Sequence, residues 1–118
     1  MAVFKITKGD KNVLPYRLQD LANLTDYDFI CTIAETADGN PFLTKVSDVA
    51  GEIDIDVALK NVDVNLEIVD FDYNSTVAPG TYHVHLIAIF DDGTDFIPRT
   101  IDKSTLIVED SQYFKHQT

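Results

Sequence analysis

The run Glu52-Ile53-Asp54-Ile55-Asp56-Val57 alternates polar and apolar residues without a break, and Val62-Asp63-Val64-Asn65-Leu66-Glu67-Ile68 does so again. A period of two belongs to a β-strand with one wet face. A turn near Lys60-Asn61 separates the runs, so they read as a hairpin. Tyr27 to Glu35, rich in β-branched and aromatic residues, is a third strand. It is followed by the turn Ala37-Asp38-Gly39-Asn40-Pro41 and a returning strand, Phe42 to Val46. Pro79-Gly80 launches Thr81 to Phe90, apolar on both faces in its second half and therefore central in a sheet. Asp91-Asp92-Gly93-Thr94 is a hairpin turn. Phe96 to Thr100 follows, with Pro98 marking an edge or a bulge, and Ser104 to Val108 is the last strand. At the start of the chain, Val3 to Ile6 and Val13 to Leu18 flank Lys8-Gly9-Asp10. Helical periodicity is weak everywhere; Asp20 to Leu24 reads as one helical turn and Phe71 to Val77 as a polar loop. About eight short strands with regularly spaced turns predict a sandwich or a small β-barrel.

The chain has 118 residues, which predicts one domain over residues 1–110 and a polar tail over 111–118. A domain of this size buries roughly 65% of its unfolded surface, enough to fold without staples. Twenty acids against nine bases give a net charge of −11. Such a charge opposes nucleic acid and anionic lipid, and favours a basic or cation-bridged partner. The longest apolar run, Leu86 to Phe90, is strand length, so no membrane span is expected. Met1 to Thr7 lacks the apolar stretch of a signal peptide, so synthesis in a cytoplasm without secretion is expected. Cys31, the one cysteine, reads as a small packed hydrophobe.

Three groups of residues carry possible chemistry. His83 and His85 stand two apart on one strand and share a face, the start of a transition-metal site. A third ligand would have to come from Cys31 or an aspartate on a neighbouring strand. Asp70, Asp72 and Asn74 have the alternating oxygens that open a calcium loop. Ser75 stands where that loop needs its glycine and Thr81 where it needs its glutamate, so an EF-hand is excluded and only a looser calcium site remains. Asp54, Asp56, Asp63 and Glu67 would face one another across the hairpin, which is destabilising unless bridged; they read as a solvated or interface face. No nucleophile elbow, phosphate loop or dinucleotide fingerprint is present, so no catalytic residue is assigned and no enzyme is expected.

The succession Phe4-Lys5-Ile6-Thr7-Lys8-Gly9-Asp10, Leu14 to Asp20, Leu24-Thr25-Asp26-Tyr27, Ala78-Pro79-Gly80-Thr81-Tyr82 and the Asp92-Gly93 hairpin resembles the immunoglobulin-like domain that opens phage baseplate upper proteins. Related tail-decoration modules share the pattern. Asp26 departs from it, since a glycine is usual there, and those proteins continue into a helical, fibre-binding region. The resemblance implies an immunoglobulin-like antiparallel β-sandwich of about 7–8 strands. It implies a non-enzymatic virion subunit, an adaptor or decoration protein of baseplate, neck or tail. Its partners would be other virion proteins and copies of itself in a symmetric ring. The expected contacts are the terminal strand at Phe4 and Ile6, open to β-augmentation, and the tail aromatics Tyr113 and Phe114 docking on a neighbour. The rival readings are a module binding carbohydrate or a host surface, with its five tyrosines in place of tryptophan, and a metal-binding protein built on His83 and His85.

Overall fold

A computed structural model describes residues 3–7, 11–19, 21, 23–66, 79–91, 93–94 and 96–109. Eight strands appear in chain order: β1 Val3–Thr7, β2 Asn12–Arg17, β3 Tyr27–Ala34, β4 Leu43–Val46, β5 Ile53–Asp56, β6 Asn61–Leu66, β7 Gly80–Asp91 and β8 Phe96–Glu109. They form two sheets, one in the order β1-β8-β7-β3-β4 and one in the order β2-β6-β5. Their inner faces make an immunoglobulin-like sandwich. The strands of the described residues divide between two separate sheets, so the barrel alternative does not hold.

The alternating runs do what their period demands. In β6, Val62, Val64 and Leu66 are fully buried while Asn61, Asp63 and Asn65 are half-buried. Ile53 of β5 pairs with Val64 and Ile55 with Val62, so the predicted hairpin forms. Its turn closes with Lys60 at φ 56° and with the Leu59 amide donating to Asp56 Oδ1 at 3.1 Å. On β7 the inner residues are Tyr82, Val84, Leu86 and Ala88; on β3 they are Phe29, Cys31 and Ile33; on β8 they are Leu106 and Val108. The opposed carboxylates Asp54 and Asp63 are relieved from both sides. Arg17 lies 3.7 Å from Asp63, and the Asn65 amide donates to Asp54 Oδ2 at 3.0 Å.

The structure corrects the sequence reading in three places. First, β1 runs parallel to β8, from Val3 beside Thr105 to Thr7 beside Glu109, so the larger sheet is mixed rather than antiparallel. Second, Phe96 to Thr100 and Ser104 to Val108 are one strand. Register against β7 jumps from Leu86↔Asp102 to Ile87↔Thr100, leaving Ile101 as an extra residue. A bulge of this kind shifts the alternation by one, which makes one strand look like two. Pro98 sits in the stretch of β8 beyond the reach of β1, where its missing N–H costs no ladder bond. Third, a 3-10 turn lies at Leu24–Asp26, its Asn23 side chain accepting from the Thr25 amide, while Asp20 and Ala22 of the expected turn lie outside the described residues.

The two sheets differ in length. β7 has twelve residues and β8 fourteen, whereas β2 and β6 have six each and β5 four. The inner side of the β7–β8 ribbon is therefore covered from Tyr82 to Ala88, while Ile97 beyond it is 54% exposed. This uncovered end positions the site.

Candidate functional site

The uncovered end of the large sheet holds a groove with a cationic part and an apolar part. The cationic part encloses about 420 Å³ between Tyr16, Arg17, Leu18 and Leu21 on one side and Arg99, Thr100, Ile101 and Asp102 on the other. The apolar part adds about 190 Å³ and is lined by Leu21, Tyr27, Ala88, Phe90, Ile97, Arg99 and Ile101. Leu21, Arg99 and Ile101 belong to both, so the two parts are continuous.

Local structure accounts for each wall. Arg99 stands opposite the inward-facing Ala88, so its side chain starts on the inner side of the sheet. Tyr27 and Phe90 are opposite one another in register and their rings meet edge to face, 5.6 Å apart. The segment after β2 is held over the groove by backbone bonds, Leu18 N–H to Lys60 O at 2.9 Å and Leu21 N–H to Leu18 O at 3.2 Å.

The inner end of the cationic part is polar and buried. Tyr16 is 5% exposed, and its hydroxyl is fully buried beside the Ser104 hydroxyl. Burial raises its pKa above the usual phenol value, Cys31 and Asp102 reinforce the rise, and the nearby Ser104 hydroxyl opposes it. Ser104 itself donates to Asp102. Cys31, behind this cluster, is buried, and desolvation pushes its thiol up to about 12. A thiol so far from ionisation is a poor nucleophile. Arg17 is tied to Asp63 on the outer face of the smaller sheet, whereas among the described residues Arg99 has no ion pair.

The sequence-derived candidates fall elsewhere. His83 and His85 do share a face, the outer face of the large sheet. His83 lies between Ala34 and Thr105, and His85 between Thr32 and Lys103. None of these neighbours is a metal ligand, and Cys31 points to the opposite side, into the core. Among the described residues no group of three or more His, Cys, Asp or Glu comes together to hold a metal ion. Ile6 is taken up by the core and Phe4 packs on it, its ring 5.3 Å from that of Tyr16. Among the described residues β1 is an edge strand, and what it offers a neighbour is that backbone edge with Val3 and Lys5. Asp70, Asp72, Asn74, Tyr113 and Phe114 lie outside the described residues. Among the described residues no helix is long and apolar enough to cross a membrane.

Sequence reasoning missed the groove because Arg17 and Arg99 are 82 positions apart and read as scattered bases. The available signal was the broken alternation at Ile101 next to Pro98. A scan against protein-family models and a search of curated proteins both returned no match.

Proposed function

We propose that the chain is a non-enzymatic structural subunit of a bacteriophage virion, attaching to other virion proteins as an adaptor or decoration module. One observation carries the reading. Two of the short motifs that resemble the baseplate domain fall at joints of an immunoglobulin-like sandwich, Leu24-Thr25-Asp26 in the 3-10 turn before β3 and Pro79-Gly80-Thr81-Tyr82 opening β7. Among the described residues β1 and β4 are the edge strands of the larger sheet, and such edges are suited to joining a neighbour by strand pairing.

The test is quantitative mass spectrometry of purified particles of the phage whose genome encodes the chain. Peptides of this chain in fixed ratio to the tail proteins are the expected result. Detection in infected-cell lysate and not in particles overturns the reading.

A further inference from the structure

We propose that the groove between Arg17 and Arg99 is the docking site for residues 110–114, Asp110-Ser111-Gln112-Tyr113-Phe114, of a second copy of this chain. Three features of the groove define what it takes. Among the described residues Arg99 presents a guanidinium without a counter-ion, in a chain with a net charge of −11. Guanidinium matches a carboxylate fork to fork, and Arg99 lines both parts of the groove. The Tyr16 hydroxyl, buried beside Ser104 and Asp102, closes the inner end of the groove with polar groups. Beside these polar groups lies the apolar part, with Tyr27, Phe90 and Ile97 bare to an incoming ring. A carboxylate followed by an aromatic side chain fits this order.

Spacing agrees. From Arg99 to Tyr27 is two strands across and two residues along, about 12 Å between backbones. From Asp110 to Tyr113 is three residues, about 10 Å when extended. The pull on an anion is local to the Arg99 guanidinium, and the aromatic pair supplies the rest of the contact.

The same copy cannot fill its own groove. Glu109 lies twelve residues beyond Ile97 on one strand, about 40 Å away. Phe114 is five residues past Glu109 and reaches at most about 18 Å. A second copy meets no such limit. The contact is then head to tail, groove to tail, and repeats into a ring or a filament. This inference goes beyond the virion reading and does not depend on it.

The experiment is light scattering of the full chain over a range of concentrations, with two variants and their mixture. The wild type is expected to grow in mass with concentration. Arg99→Glu destroys the groove and keeps the tail, while Tyr113→Ser with Phe114→Ser destroys the tail and keeps the groove. Each alone is expected to weaken association about tenfold or more, with its unfolding midpoint unchanged. Mixed, they are expected to form a dimer and stop there, because one good groove meets one good tail. A wild type that stays monomeric, association that survives either variant, or a mixture that stays monomeric overturns the proposal. None of those results bears on whether the chain is found in particles.

Discussion

Phe29 and Ser47 hold each other twice. The Phe29 amide donates to the Ser47 hydroxyl at 2.9 Å, and the Ser47 amide donates to the Phe29 carbonyl at 2.9 Å. The ladder between β3 and β4 ends in register at Ile30↔Val46, so Ser47 extends it by one side chain where the backbone has begun to turn away. Phe29 is fully buried, and its N–H would otherwise have no access to water.

Ser47→Ala is therefore expected to cost about 1–3 kcal/mol, the penalty of a buried donor left unmet. Thr44→Ala, on the exposed side of β4, is expected to stay within about 0.5 kcal/mol. Urea denaturation of the two variants separates them, and equal losses would contradict the role given to the Ser47 hydroxyl.

Alkaline conditions are expected to destabilise the fold through Cys31. Its thiol ionises near 9.0 when unfolded and is pushed up to about 12 by burial when folded. Between those values the unfolded chain has released a proton that the folded chain keeps. Stability is thus intact below pH 9 and falls as pH rises, with a slope approaching about 1.4 kcal/mol per pH unit from this group. Tyr16, raised by burial as well, adds to the fall above its ordinary range. Denaturation at pH 8, 9 and 10 is expected to show a shallower loss for Cys31→Ala than for wild type. At pH 8 the native thiol is expected to resist a thiol reagent that reacts at once in urea.

The ion pair at the groove wall is expected to matter little for stability. Arg17 and Asp63 are both well exposed and 3.7 Å apart, a geometry worth under about 1 kcal/mol. Arg17→Ala is expected to cost no more than that in low salt, with the difference fading in about 1 M salt as screening shortens its range. Asp63→Asn is expected to be close to neutral, since it also removes the charge facing Asp54. Thermal melts at two ionic strengths check both.

Core and surface leucines are expected to part sharply. Leu86 is fully buried in the centre of β7, whereas Leu59, in the turn between β5 and β6, is 61% exposed. Leu86→Ala is expected to cost about 2–5 kcal/mol through lost contacts and an unfilled cavity. Leu59→Ala is expected to stay within about 0.5 kcal/mol. Chemical denaturation midpoints give both values.

How much of this was legible beforehand depends on range. Glu52 to Val57 and Val62 to Leu66 announce their faces because an alternating pattern needs only neighbours in sequence to be read. β8 did not announce itself, because Ile101 adds one residue and Pro98 mimics a strand end. The parallel partner of β1 was invisible, since nothing local distinguishes a strand that will lie along Thr105 to Glu109. The groove was hidden for a related reason. It exists because β7 and β8 outrun β2, β5 and β6, and differences of length between sheets are settled only when the sheets pack. The histidine pair shows the converse. Its shared face was read correctly, but its neighbours among the described residues, Ala34, Thr105, Thr32 and Lys103, none of them a metal ligand, come from strand register alone.

The parallel pairing of β1 with β8 also has a mechanical meaning. Force applied to the leading end of β1 and the trailing end of β8 pulls the two strands past each other along their length. All the bonds between Val3–Thr7 and Thr105–Glu109 then share the load at once, instead of opening one after another. Strands joined antiparallel at the two ends of a chain would peel from the tip. A module wired in this way resists stretching along its own axis and would transmit tension between whatever is fastened to its two ends.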